Sequence, residues 1–424
     1  MRGDSTPPLA DEFRYDVDAQ WEKLPAGIAH KDVAAVGTDS SDRVYLLTRY
    51  DSNVLVYEPD GTFITAWGGD GFTRPHGLTV GPDDSVWTVD DGDHTVRKFT
   101  PEGKLLMTLG RPGQPSDTGR TAGGPFVVHN VETVVRPGEP FNSCTNLAIN
   151  SAGRVYVADG YGNCRIHVFS PDGELLRSWG EAGVGPGEFH LPHGIAVGPD
   201  DRVYVCDREN DRIQLFDPDG RYLAEWTDVQ RPCHVAVDPD GYAYVAELWR
   251  PKGKGSFTHG FMREDHPGRV TVFDRNGAIV ARWGASTVSR TAPGNFIAPH
   301  GIAVDSRGDL YVAEVSYTFG TRQNGMDQAE TTLHQLQKFV RVARPMAKNA
   351  ILSGAQPALS RGDDPPYPPM CVRWQRPPSD APPAPETRGL RREALKDEAQ
   401  YRTDPVDARR EPAAASGLRR PAAG

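Results

Sequence analysis

The chain has 424 residues, with 47 lysines and arginines against 57 aspartates and glutamates. The resulting formal charge of −10 has the wrong sign for a sequence-independent phosphate binder, so nucleic acid is not an expected partner. No apolar run is long enough to span a bilayer, and 45 glycines with 37 prolines suit an all-β chain with many turns rather than a helical bundle.

In chain order, residues 1–12 (MRGDSTPPLADE) are polar and lack the apolar segment of a signal peptide. A flexible end and a cytoplasmic location are the expectation. Five cysteines in a chain of this length do not make a disulfide framework. Residues 13–24 (FRYDVDAQWEKL) read as a lone strand with Trp21 near its end.

Six units then repeat one pattern: an apolar triplet, a D/G turn, a V-Y-V-like strand, a polar loop, a strand ending in an aromatic, a P-D-G-like turn, and a last strand ending in W-G. They begin at Asp32 (DVAAVGTDSSDRVYLLTRYDSNVLVYEPDGTFITAWG), His76 (HGLTVGPDDSVWTVDDGDHTVRKFTPEGKLLMTLG), Asn146 (NLAINSAGRVYVADGYGNCRIHVFSPDGELLRSWG), His193 (HGIAVGPDDRVYVCDRENDRIQLFDPDGRYLAEW), His234 (HVAVDPDGYAYVAELWR…GRVTVFDRNGAIVARWG) and His300 (HGIAVDSRGDLYVAEV…LQKFVRV). Each unit holds four short strands with period-2 alternation. A unit of about 40 residues cannot bury both faces by itself, and stacking around an axis solves that problem. The expected fold is an all-β, six-bladed β-propeller over residues 13–344. Its sixth blade lacks a fourth strand of its own, so residues 13–24 are expected to supply it and close the ring, with Trp21 in the corner place. The V-Y-V-A-D-x-x-N-x-R-I-x-x-F spacing resembles the NHL repeat family over residues 32–342. Residues 345–424 are rich in Pro, Ala and Arg and are read as a disordered tail with a short helix at 390–401.

Three long insertions, at 110–143, 248–267 and 316–334, fall on one edge of the blades, as expected of a built-up functional rim. On that edge the positions read at the start of each inner strand are Lys31, His76, Thr145, His193, Cys233 and His300. The even blades each carry Pro-His-Gly. Alternate blades of a six-fold ring are about 120° apart, so His76, His193 and His300 are predicted to converge on the axis with one coordination place open. That arrangement suits Zn2+ or another divalent transition metal. Cys233 is a candidate fourth neighbour, and His234 is read as structural. At the ends of the second strands stand Arg49, Asp90 and Asp91, Tyr161, Arg208, Glu247 and Glu314.

The set RPHGL, DGYGN, LPHGI, DRENDRIQ and APHGI resembles the core of the peptidyl-α-hydroxyglycine α-amidating lyases. The resemblance implies a six-bladed propeller that splits a carbinolamide N–C bond into an amide and glyoxylate. Carried over motif by motif, it makes His76, His193 and His300 the zinc ligands, Tyr161 the catalytic base, and Arg49 and Arg208 the arginines that hold the carboxylate of a small-molecule or peptide substrate. Two departures matter. Gly301 stands where the family places a calcium-binding carboxylate, so calcium is not expected. Cys144 and Cys164 are displaced from the family's disulfide positions and are expected reduced. Two alternatives stay open: a non-catalytic scaffold that binds a protein or peptide on its rim, with the Pro-rich tail as a second contact, and a lactonase-like hydrolase.

Overall fold

The computed structural model describes residues 13–342 apart from 50–52, 122–132, 257, 287 and 333. The readings of residues 1–12 and of 345–424, including the helix at 390–401, lie outside the described residues. Six four-stranded antiparallel sheets surround an axis. From inner to outer strand, blade one is Val33–Thr38, Val44–Thr48, Val54–Tyr57 and Phe63–Trp67. Blade two is Pro75–Val80, Val86–Asp90, Thr95–Phe99 and Leu105–Gly110, and blade three is Cys144–Ile149, Val155–Asp159, Arg165–Phe169 and Leu175–Trp179. Blade four is Pro192–Val197, Val203–Asp207, Arg212–Phe216 and Tyr222–Trp226. Blade five is Pro232–Val237, Ala243–Glu247, Arg269–Phe273 and Ile279–Trp283. Blade six takes Pro299–Val304, Leu310–Glu314 and Leu336–Arg341 from the end of the repeat region, and its outer strand is Tyr15–Asp18 from the chain's beginning.

The period-2 pattern explains how the blades pack. The aromatic residue of each V-Y-V strand pairs across the sheet with a small residue of the inner strand: Tyr45 with Gly37, Tyr156 with Ala148, Tyr204 with Ala196, Tyr244 with Ala236 and Tyr311 with Ala303. These five rings are almost wholly buried. Blade two keeps the place with Trp87 opposite Thr79. Large beside small lets neighbouring sheets interdigitate, and each buried ring adds roughly 2–3 kcal/mol of apolar transfer energy.

Five of the six joints between blades use a second aromatic, and at the joint between blades two and three Leu109 takes that place beside Phe169 and Gly173. The tryptophan ending one outer strand packs on the third-strand aromatic of the next blade: Trp67 on Phe99, Trp179 on Phe216, Trp226 on Phe273 and Trp283 on Phe339. The P-D-G turn glycine of that next blade lies under the indole, as Gly103 does under Trp67 and Gly220 under Trp179. Both glycines have positive φ, 87° and 83°, so neither conformation nor space admits a side chain there. The joint between blades six and one follows the same plan. Tyr15–Asp18 pairs with Leu336–Arg341, Tyr15 opposite Arg341 and Asp18 opposite Lys338. Trp21, three residues beyond that strand, packs at a tilt on Tyr57 and edge-to-face on Tyr311, lies against Gly61, and donates its indole N–H to Pro59 O at 2.9 Å. The predicted closure is therefore present, with Trp21 in the corner place.

The insertions carry structure that the alternation does not foretell. The blade-six insertion contains a π-helical turn, Tyr317–Gln323, and a short α-helix, Gln328–Thr332. The blade-five insertion holds a two-residue ribbon, Gly255–Ser256 against Gly260–Phe261. Among the described residues no helix is long and apolar enough to cross a membrane.

Candidate metal centre and its surroundings

Every inner strand has a bulge at the same point, between its first and third residues. The extra residue is Ala34, His76, Thr145, His193, Cys233 or His300, according to blade. A bulge frees one residue from the ladder and re-aims its side chain, and in blades two, four and six that residue is the histidine. Position by position, this corrects the reading of blade one. The equivalent of the histidines there is Ala34, not Lys31. VAAV offers no His-Gly landmark, and only the pairing of Val33 with Thr48 sets its register.

The odd blades contribute carbonyls instead of imidazoles. His76 Nδ1 donates to Thr145 O, His193 Nδ1 to Cys233 O and His300 Nδ1 to Ala34 O, each at 2.7 Å. A carbonyl only accepts, so the proton sits on Nδ1 and every Nε2 presents a lone pair. The glycine after each histidine permits the approach. A Cβ on Gly194 would lie 2.7 Å from His234 Cα, and one on Gly301 would lie 2.9 Å from Ala35 Cα. The three rings stand with centroids 4.8 Å apart in each pair. Each offers one nitrogen, and these nitrogens lie within 4.8 Å of one another in a fully buried group. Burial first, then the neighbouring imidazoles and guanidiniums, holds all three well below the ordinary imidazole pKa. They are therefore neutral donors, fixed in tautomer by a second hydrogen bond, which is the state a divalent transition metal requires. The donor set fits such an ion.

Tyr161 closes one side of the triad. Its Oη lies 2.9 Å from His76 Nε2 and 3.1 Å from His193 Nε2. Arg208 Nη1 donates to the same oxygen at 3.5 Å, and the guanidinium carbons of Arg208 and Arg74 each lie 5.5 Å from the Tyr161 ring centroid. Arg208 is almost fully buried, its Nε donates to Glu209 Oε1 at 2.9 Å, and its Nη2 has no hydrogen-bond partner among the described residues. Burial works against its charge, but Tyr161 and Glu209 more than reverse that, so the guanidinium stays protonated. Arg49 donates from Nε to Pro75 O at 3.3 Å and faces Asp32 at 3.8 Å. Burial, then Arg74, lowers its pKa. Asp91 pairs with Arg74 and lies 4.0 Å from His76 Nε2; burial raises its carboxyl despite Arg74 and Arg49. The six residues named from the sequence, His76, His193, His300, Tyr161, Arg49 and Arg208, thus gather at one mouth of the channel.

Other sequence candidates are placed elsewhere. Asp90, Glu247 and Glu314 do not face the triad. They accept the backbone N–H groups of Thr73 and Arg74, of Gln230, and of Ile297 and Ala298, and so pin the connections entering each inner strand. Cys233 is not a member of the metal-capable group; its carbonyl serves His193, and burial raises its thiol. His234 is buried in a structural place, with Nδ1 accepting from Ile302 N at 3.3 Å and a pKa lowered by burial to about 4. Cys144, Cys164, Cys206 and Cys233 are free and buried.

Two features of the mouth are absent from the sequence reading. Arg74 is one; its only signal is that the residue two before each histidine is charged in RPHG and apolar in LPHG and APHG. The other is an apolar wall. Just past the second strand, blades one to four present Arg49, Asp91, Tyr161 and Arg208, whereas blades five and six present Leu248 and Val315. These cluster with Trp249, Phe319, Ile297 and Ala298. The contacts join two insertions far apart in sequence to the connection entering blade six, so no local pattern announces them.

Comparison with known proteins agrees with this fold. A family described as a 6-bladed beta-propeller matches residues 140–271, and the NHL repeat matches residues 72–99. The chain is 32% identical to mouse NHL repeat-containing protein 3 over 71% of its own length and 81% of that protein. It is 30% identical to Peptidyl-alpha-hydroxyglycine alpha-amidating lyase 1 of Drosophila melanogaster over 73% of its own length, but only 53% of the lyase. It is 36% identical to rat Peptidylglycine alpha-amidating monooxygenase over 48% of its own length and 24% of that protein. The fold, the repeat and the extended match to the mouse protein together establish that this chain belongs to the NHL-repeat family of six-bladed β-propellers.

Proposed function

We propose that this propeller is a metal-dependent lyase that splits an α-hydroxyglycine or related carbinolamide substrate at the mouth of its channel. One observation carries the reading: three neutral imidazoles on alternate blades, each locked by a carbonyl of the next blade, present their Nε2 atoms to a common point beside Tyr161 Oη. A structural His ring has no need of a buried tyrosine hydroxyl and an unpaired guanidinium Nη2 at its side. The likeness to proteins named amidating lyases supports the same reaction class.

In this reading His76, His193 and His300 would hold Zn2+, which would supply Lewis acidity toward the substrate's hydroxyl. Arg208, whose Nη1 reaches Tyr161 Oη, and Arg49 hold the substrate carboxylate. Guanidinium suits that task because its planar fork matches a carboxylate. Tyr161 Oη takes the proton of the hydroxyl as the C–N bond breaks. The carbinol carbon becomes the aldehyde of glyoxylate, and the departing nitrogen takes a proton to become the amide. The apolar wall of Leu248, Val315 and Phe319 keeps water from that side.

The test compares wild type with His193→Ala by elemental analysis of purified protein, alongside glyoxylate release from an N-acyl α-hydroxyglycine. Near-stoichiometric zinc and glyoxylate production in wild type, both lost in the variant, are expected. Equal metal in the two proteins would remove the central site and favour a non-catalytic propeller.

A further inference from the structure

Glu209 lies directly after Arg208 in a short 3-10 turn, Arg208–Asn210, yet it faces the protein interior rather than solvent. Its Oε1 accepts from Arg208 Nε at 2.9 Å and from Arg231 Nη2 at 2.9 Å and Nε at 3.3 Å. Arg231 is itself anchored: it donates to Trp249 O at 3.4 Å and lies 5.6 Å from the Phe319 ring centroid. One carboxylate oxygen therefore joins the blade-four turn, the strand entry of blade five and the wall built by the insertions of blades five and six. The result at Arg208 is specific. Its Nε is occupied, its Nη1 reaches Tyr161 Oη, the Cys233 thiol lies beside the guanidinium, and its buried Nη2 finds no hydrogen-bond partner among the described residues. An unpaired, fully buried donor is costly, and an acceptor arriving there would relieve that cost.

We infer that Glu209 is a positioning residue, holding the Nη1–Nη2 edge of Arg208 toward the triad so that it can accept a small carboxylate in two-point contact. The inference rests on the reading of Arg208 as the carboxylate anchor. A simple counter-ion makes the opposite prediction. Removing its charge would leave Arg208 and Arg231 more positive and would tighten anion binding, whereas loss of orientation weakens it.

The test uses the full chain loaded with zinc and glyoxylate as probe, with binding followed by calorimetry and melting temperature and zinc content recorded in parallel. Glu209→Gln, which keeps size and loses charge, is expected to weaken glyoxylate binding about tenfold with zinc content unchanged. Glu209→Asp keeps the charge but shortens the reach to Nε, and is expected to weaken binding by a similar factor; it decides the matter should the first variant fail to fold. With an N-acyl α-hydroxyglycine, both variants should raise KM by about the same factor and change kcat less. Tighter glyoxylate binding in Glu209→Gln, or wild-type binding in Glu209→Asp, would overturn the positioning role. A wild-type protein that binds glyoxylate but releases none from the substrate would end the lyase reading and leave the binding comparison to support this one. Wild type that binds no glyoxylate would overturn both.

Discussion

Tyr161 carries the sharpest expectation at the level of single residues. Its Oη touches two of the three imidazole nitrogens and one guanidinium, so replacing it changes chemistry without touching the ligands' carbonyl anchors. Tyr161→Phe is expected to keep full zinc content and to slow glyoxylate release by about 10²–10⁴-fold, the range for loss of a general acid or base. Steady-state kinetics on protein of known metal content checks this, and an undiminished rate would show that the proton travels another way. The same six site residues are readable from short motifs because each motif has a fixed offset from a strand the repeat already locates. Arg74 and Glu209 are not readable in that way. Asp91 reaches Arg74 across the blade-two hairpin and Arg231 reaches Glu209 from the next blade, so a charged side chain in RPHG or DREN looks like any solvated one until strands and blades are assembled.

At the level of elements, the bulge and the closure are the places where local sequence meets blade geometry. The glycine of Pro-His-Gly lets the inner strands of adjacent blades touch, and a side chain there forces them apart. Gly194→Ala would press its Cβ against Cys233 O, the acceptor of His193 Nδ1. It should destabilise the fold by about 1–3 kcal/mol, the usual cost of overpacking, and weaken zinc binding although no ligand is altered. A zinc titration with a competing chelator, read beside a denaturant midpoint, checks both. Alanine at Gly27, which has open space around it but a φ of 91°, should cost a little stability and leave zinc affinity as in wild type. Ring closure gives a second test. Trp21 is almost fully buried between Tyr57 and Tyr311. Trp21→Ala is expected to lower stability by roughly 3–5 kcal/mol, seen as an earlier and broader thermal transition. An unshifted melting curve would mean that the N-terminal strand alone closes the ring. Blade one shows why sequence alignment stumbles locally: VAAV has the right hydrophobicity but no landmark, and a bulge shifts which residue faces the axis.

For the molecule as a whole, the buried imidazoles make stability depend on pH. His76, His193, His300 and His234 all have folded-state pKa values below the ordinary 6.5. Below that pH the unfolded chain takes up protons that the folded chain refuses, so stability falls as pH falls through about 6.5 and is fully present above it. Each such group contributes up to about 1.4 kcal/mol per pH unit in that window. His334, raised because Glu314 outweighs its burial, runs the other way: its contribution is present below 6.5 and is lost as pH rises through its folded value. Metal-free protein is therefore expected to show a clearly lower urea midpoint at pH 5.5 than at pH 7.5, and an equal or higher midpoint at pH 5.5 would contradict the buried neutral state of the triad.

Periodicity and turn chemistry in the sequence were enough to determine six blades, their strand order, the closing strand and the three histidines of alternate repeats. Those features recur at a fixed spacing, and a two-residue period leaves one face to bury. What surrounds the histidines was decided only by the tertiary structure. The carbonyls that fix their tautomers, the contacts of Tyr161 with His76 and His193, the Glu209–Arg231 pair, and the apolar wall of the blade-five and blade-six insertions all join residues from different blades. Contacts of that kind depend on the angle at which one sheet meets the next, and no segment of the chain carries that angle by itself.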